Sequence, residues 1–186
     1  MARFEFRLSG SGGQGLIFTG MILGEAAAIY DGKNAVQTQS YGPEARGGAS
    51  RAEVIISDEE IDYPKVRQPD VLLSMTQEAY RKYIPGLKEN GVLIVDPFYV
   101  KTIQPRKGPV YAIPLTQIAV EKAGKKIAAN VVALGAMSAI TGRVTLNALK
   151  QAVLSRAPRG TENINLKALE EGYAAGEEAV LKAGKE

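Results

Sequence analysis

The sequence predicts an α/β fold: a mainly parallel, doubly wound sheet flanked by helices, with a helical C-terminal segment. Three observations lead there. Short apolar runs and helix-length stretches alternate from Phe4 to Ile113, and the remainder is helical in pattern. Asp70-Val71-Leu72-Leu73-Ser74 and Gly91-Val92-Leu93-Ile94-Val95-Asp96 are short and continuous in apolar residues, as befits parallel strands covered on both faces. A glycine-rich turn joins the first apolar run to a long apolar stretch, the order of a strand, a tight turn and a buried helix. With 186 residues, 45% of them hydrophobic and 23% charged, the chain suits one packed core rather than a disordered segment. We divide it into an α/β domain, residues 1–156, and a C-terminal amphipathic helix, residues 157–186, packed on that same domain.

The elements follow in order. Phe4, Phe6 and Leu8 alternate with Arg3, Glu5 and Arg7, the period of a half-buried strand. Leu16 to Tyr30 is almost entirely apolar or small and predicts a buried helix, ended by Asp31-Gly32. Gly20, Gly24 and Ala28 share one face of it, which implies close approach to a neighbour. Ala35 to Gln39 predicts the second strand and Val54-Ile55-Ile56 the third. Asp70–Ser74 is the fourth, followed by a helix over 77–83 and a further turn around Leu87. Residues 91–96 form the fifth and 110–113 a sixth. Asn130 is placed to cap a helix over 131–140 that stops at Gly142, and Thr145 to cap the next, with Leu146, Leu149 and Val153 on one face. Ala157-Pro158-Arg159-Gly160 is a linker, and the last helix, about 164–182, carries Leu166, Leu169, Tyr173 and Val180 as its apolar stripe.

Absences restrict the chemistry. Without cysteine there is no disulfide framework, thiolate zinc site, cysteine-ligated iron–sulfur cluster or cysteine nucleophile. Without histidine there is no histidine triad, imidazole metal ligand or charge switch near neutral pH. The net charge of +3 is spread along the chain, and the run from Lys122 to Lys126 fits a solvated helix end better than a nucleic-acid patch. The charged, alternating N-terminus is unlike a secretory signal, and the apolar run 131–140 is too short to cross a bilayer. The sequence therefore predicts a cytoplasmic protein with neither a nucleic-acid nor a membrane partner.

Two loops hold the remaining information. Gly10, Gly12 and Gly15 satisfy G-x-G-x-x-G between a strand and a helix. Glycines let backbone N–H groups approach an anion, and a helix N-terminus adds about half a positive charge. A dinucleotide site would also place an acid at the end of the second strand, where Gln39-Ser40 stand instead. A nicotinamide or flavin site and a tight turn for close packing both remain open; a phosphate-binding P-loop does not, because no Lys-Ser or Lys-Thr follows. The second loop sets Tyr41, Glu44 and Arg46 between Gly42-Pro43 and Gly47-Gly48. An exposed Glu44–Arg46 pair alone would contribute at most ~1 kcal/mol. Loops leaving the carboxyl ends of parallel strands line a ligand crevice, and both loops are expected at that edge.

These residues resemble a known family. Ser11-Gly12-Gly13-Gln14-Gly15 is similar to the glycine-rich segment in the gamma subunits of 2-oxoacid:ferredoxin oxidoreductases. The stretch from Gln39 to Ser50, with Ser57-Asp58 and Ile61-Asp62-Tyr63-Pro64, resembles the same subunits closely. Pro69-Asp70-Val71-Leu72, Val95-Asp96, and Asn130 ahead of Leu134-Gly135-Ala136 fit as well. Tyr41-Gly42-Pro43-Glu44-Ala45-Arg46-Gly47-Gly48-Ala49-Ser50 is nearer the 2-oxoglutarate (KorC-like) gamma subunits than the pyruvate type; branched-chain 2-oxoacid and indolepyruvate enzymes stay open.

The resemblance implies a complex that converts a 2-oxoacid and coenzyme A to an acyl-CoA and carbon dioxide while reducing ferredoxin. It implies thiamine diphosphate, Mg²⁺ and [4Fe–4S] clusters on alpha, beta and ferredoxin-like delta subunits, with this chain inactive alone. Its implied site comprises Gly10, Ser11, Gly12, Gly13, Gln14 and Gly15, together with Tyr41, Glu44, Arg46, Gly47, Gly48 and Asn130, near coenzyme A, with no catalytic residue or metal ligand. A free-standing dinucleotide-binding protein and a purely structural assembly module are the alternatives of other classes.

Overall fold

A computed structural model of the chain describes residues 3–40 and 49–184. Its centre is a six-stranded sheet of β1 (Phe4–Ser11), β2 (Asn34–Ser40), β3 (Ala49–Ser57), β4 (Val71–Ser74), β5 (Val92–Val95) and β6 (Val110–Ala112). The spatial order is β2-β3-β1-β4-β5-β6. β1 pairs in parallel with β4, β4 with β5, and β5 with β6, while β3 lies antiparallel between β1 and β2. Five of the six strands thus share one direction, and the mainly parallel sheet predicted from the sequence is found. β3 is longer than the 54–56 expected, because its first half, Ala49-Ser50-Arg51-Ala52-Glu53, carries charge where apolar alternation was sought.

Among the described residues the α-helices are α1 (Leu16–Glu25), α2 (Gln77–Tyr83), α3 (Leu115–Ala123), α4 (Ala129–Thr141), α5 (Leu146–Arg156) and α6 (Glu162–Ala183). One sheet face, with Phe6, Leu8, Val54, Leu73 and Ile94, builds the main core against helical residues such as Leu23, Leu115, Val132 and Leu149. The other face sets Leu72, Leu93 and Val95 against Tyr80 and Tyr83 of α2. Every residue of β4 is buried, the state its unbroken apolar run requires.

Several local expectations are corrected. The predicted helix 16–30 is α-helical only to Glu25 and continues as a wider π-helical turn over Ala26–Tyr30 before Asp31 and Gly32 end it. α3 was not foreseen; it buries only Leu115, Thr116 and Ala119 and begins after Pro114 without a side-chain cap. Asn130 does not cap α4, which opens at Ala129 after a 3₁₀ turn over Lys126–Ala128. Thr145 does cap α5, its hydroxyl accepting the Ala148 N–H at 3.1 Å, and Gly142 does terminate α4 in a left-handed conformation. The run from Lys122 to Lys126 does lie at an exposed helix end, with Lys122 in the last turn of α3 and Gly124 closing it.

The stripe foreseen on α6 is found in part: Leu169 is buried and Leu166 packs on the core. Its buried residues are Ala168, Leu169, Gly172 and Gly176, whereas Val180 is exposed. A Cβ on Gly172 would lie 2.0 Å from the Val132 carbonyl oxygen, and one on Gly135 would lie 2.1 Å from that of Leu169. α4 and α6 therefore pack backbone to backbone through glycines. Charged residues on β1 likewise escape the half-buried pattern. Arg7 and Glu53 are both buried and form an ion pair at 2.7 Å across the β1–β3 ladder, so the second sheet face is covered there too.

Candidate functional site

The glycine-rich loop grows directly out of β1. Gly10 and Ser11 still belong to the strand, paired with Ser50 and Ala49, so the turn proper is Gly12 to Gly15. Gly13 and Gly15 adopt φ of 85° and 74°, the left-handed region that disfavours side chains. Gly15 caps α1 through its backbone, with no side-chain cap and no acidic residue in the first turn. The first N–H groups of a helix lack intrahelical partners and carry the positive end of its dipole, so this terminus suits an anion.

Two side chains brace the loop. Gln14 folds back into its own turn: its Oε1 accepts the Ser11 N–H at 2.8 Å, and its Nε2 donates to the Met75 carbonyl at 3.3 Å. Asn130, from the first turn of α4, donates Nδ2–H to the Gly15 carbonyl at 3.3 Å while its Oδ1 accepts the Val131 N–H at 2.8 Å. These contacts explain two of the glycines by crowding. A Cβ on Gly10 would fall 2.2 Å from Gln14 Oε1, and one on Gly15 would fall 2.2 Å from Asn130 Nδ2. Gly12 is otherwise: its φ is not positive, and a Cβ there would meet nothing within 4 Å. The space above Gly12 and Gly13 is open.

The loop borders two cavities. One, of about 320 Å³, lies between Gly13, Gln14, Met75, Tyr99, Thr116 and Lys126, with Ile127 and Ala129 at its edge. The other, of about 300 Å³, lies beneath Gly15, Phe18, Lys125, Asn130 and Ile164, extending to Pro158, Thr161 and Asn165. Ile127, with 62% of its surface exposed, borders both. The first cavity owes its shape to Asp96. This fully buried carboxylate accepts the Phe98 N–H at 2.9 Å and the Thr116 N–H and hydroxyl at 2.9 and 2.5 Å. One acid thereby fixes both the turn after β5 and the start of α3.

Of the residues expected at the site, Gly10 to Gly15 and Asn130 are brought together. Asn130 is a brace for Gly15, so its amide is already committed. The Ser11 N–H is likewise spent on Gln14. Tyr41, Glu44, Arg46, Gly47 and Gly48 lie outside the described residues. Their anchors do not: Ser40 and Ala49 end β2 and begin β3 at the same sheet edge as the glycine loop, with β3 between β2 and β1. Sequence reasoning missed Met75, Tyr99, Thr116, Lys126 and Ile127. Nothing in their types marks them: Met75 arrives through the pairing of β4 with β1, Tyr99 and Thr116 flank the Asp96 hydrogen bonds, and Lys126 and Ile127 lie in the 3₁₀ turn before α4.

This arrangement prompts comparison with known proteins. A family model described as pyruvate ferredoxin/flavodoxin oxidoreductase matches residues 5–175. The chain belongs to this family. Within the oxidoreductase family it is 52% identical to the 2-oxoglutarate synthase subunit KorC of Methanocaldococcus jannaschii, over 95% of each chain. It is 48% identical to the KorC subunit of Methanothermobacter marburgensis, over 98% of this chain and all of that one. The pyruvate synthase subunit PorC of M. jannaschii is 30% identical over 91% of this chain, so the 2-oxoglutarate-type relatives stand much nearer in sequence.

Among solved structures, a keto/oxoacid ferredoxin oxidoreductase gamma subunit from Geobacter sulfurreducens superposes with a TM-score of 0.89 at 50% identity, covering 96% of this chain and 99% of that one. A 2-oxoglutarate:ferredoxin oxidoreductase from Magnetococcus marinus, solved with 2-oxoglutarate, coenzyme A and succinyl-CoA, shares the fold. Its TM-score is 0.82 at 24% identity, and the match covers 96% of this chain and 32% of that longer one. The resemblance to gamma subunits, and to their 2-oxoglutarate type, is borne out.

The chain has no cysteine, so a thiolate-ligated cluster does not fit it. Among the described residues no group of three or more Asp, Glu, His or Cys is placed to hold a metal ion, and no helix is long and apolar enough to cross a membrane.

Proposed function

We propose that this chain is the gamma subunit of a 2-oxoglutarate:ferredoxin oxidoreductase, in which 2-oxoglutarate, coenzyme A and two oxidised ferredoxins give succinyl-CoA, carbon dioxide, two reduced ferredoxins and a proton. The observation that carries this is the identity of about half of all residues to KorC subunits over nearly the full length of both chains. Thiamine diphosphate, Mg²⁺ and [4Fe–4S] clusters on partner alpha, beta and ferredoxin-like delta subunits supply the decarboxylation and the electron path.

This chain's own part is placement. The open backbone at Gly12 and Gly13, the start of α1 with no side-chain cap and the cavity beside them support a surface that receives coenzyme A at the subunit interface. Arg46 belongs to this reading as a second phosphate partner from the neighbouring loop. Affinity-tagged chain recovered from its native host should bring thiamine- and cluster-binding subunits with it. A panel of 2-oxoacids, assayed by reduction of a ferredoxin-type dye with coenzyme A, should favour 2-oxoglutarate. Recovery of the chain without such partners, or a preference for pyruvate, contradicts the proposal.

A further inference from the structure

A cationic side chain strengthens a backbone cradle for a polyanion, and the described part of the glycine loop carries none. Two lysines border the cavities beside it, Lys125 with Gly15 and Lys126 with Gly13 and Gln14. Lys126 lies in the 3₁₀ turn before α4 and borders the same 320 Å³ space as Gly13 and Gln14. Its Nζ sits 5.5 Å from the ring centroid of Phe98 and 5.3 Å from that of Tyr99. The two rings meet nearly at right angles with centroids 4.7 Å apart, and Asp96 pins the turn that bears them. Aromatic faces attract an ammonium through their quadrupole but leave its charge unneutralised. Lys126 forms no ion pair among the described residues, unlike Lys88, Lys107 and Lys150. Lys101, which also approaches Phe98, donates its ammonium to the Pro97 carbonyl at 2.8 Å. Lys126 is thus an exposed ammonium beside two aromatic rings, lining the same largely apolar hollow as Gly13 and Gln14.

We propose that Lys126, seated by Phe98 and Tyr99, pairs with a phosphate of coenzyme A. This rests on the reading of the glycine loop as the coenzyme A surface. It assigns a binding residue from α4's leading turn rather than from either glycine-containing loop, and it makes Phe98 and Tyr99 positioning residues.

The test uses the assembled complex carrying Lys126→Met, Lys126→Gln or Lys126→Arg, with Lys167→Met, exposed on α6, as a remote control for the lost charge. Loss of one charge-assisted phosphate contact should raise the apparent KM for coenzyme A about tenfold in the Met and Gln variants. The value of kcat and the KM for 2-oxoglutarate should stay within about twofold, since ground-state binding alone is altered. Lys126→Arg should restore most of the affinity, and the wild-type KM should rise more steeply with salt than the Met variant's. Dephospho-coenzyme A locates the contact: a penalty that vanishes assigns the 3′-phosphate, and one that persists assigns the diphosphate, either supporting the pairing. An unchanged KM for coenzyme A in Lys126→Met, beside a raised one in Gly12→Ala, overturns this inference and leaves the coenzyme A surface intact. An unchanged KM in both removes the coenzyme A surface itself.

Discussion

Gly12 and Gly15 sit three residues apart in one loop and answer to different constraints. Gly15 combines a left-handed φ with the Asn130 amide where a side chain would go. Gly15→Ala should therefore cost about 2 kcal/mol or more in a thermal or urea melt, from the left-handed backbone and the displaced brace together. Gly12→Ala should leave the melting temperature within about 2 °C, because nothing crowds that position. It should instead raise the apparent KM for coenzyme A in the assembled complex, where ligand comes close to the backbone. Asp96 gives a third test at this scale. It accepts three hydrogen bonds while fully buried, so Asp96→Ala strands three donors and should cost about 2–4 kcal/mol by denaturant unfolding. Asp96→Asn, which keeps an acceptor oxygen, should cost less. The residue scale is also where the sequence was least informative. Arg7 and Glu53 are buried as a pair, with Arg51 3.8 Å from Glu53 and Tyr83 beside Arg7, cross-strand partners that a one-strand alternation cannot reveal.

Among the elements, legibility followed the width of the buried stripe. β4 and β5 announce themselves because nearly every residue is apolar and covered. α1 was legible for the same reason, and its glycine face does lie against β2 and β3, where a Cβ on Gly20 would touch Ala52 at 3.1 Å. α3 hides because it buries three residues and follows a proline. The start of β3 hides because its inward charges face a covered sheet surface. α6 was found, but its contact surface includes small residues, Ala168, Gly172 and Gly176, beside the expected Leu169. That surface makes a prediction at the scale of the element. Gly172→Ala should push α6 from α4, since the added methyl would overlap the Val132 backbone, which has no flexible end to yield. A loss of about 3 kcal/mol or more, or failure to fold, is expected from overpacking against backbone, and Ala174→Gly on the exposed side of α6 should cost only about 1 kcal/mol.

For the whole molecule, the absence of cysteine and histidine acquires a definite meaning. A family defined by ferredoxin-linked oxidation includes here a chain with no thiolate for a cluster and no imidazole for proton transfer. On the proposed reading the redox chemistry lies on partner subunits, and this chain contributes a shaped edge of the sheet: an open glycine loop, a seated lysine and the anchors of a second loop. The fold class and the first loop could be read from the sequence because both are local patterns. The cavity could not, because it joins β1, the turn after β5 and the start of α4, distant in sequence and united only by the sheet order.

The most direct measurement is an add-back assay. The other subunits of the complex are reconstituted with and without this chain, and dye reduction is followed with 2-oxoglutarate at varied coenzyme A. The account predicts that coenzyme A-dependent turnover of 2-oxoglutarate appears only when the chain is present and exceeds that of pyruvate. Full, coenzyme A-saturable turnover in its absence would contradict it.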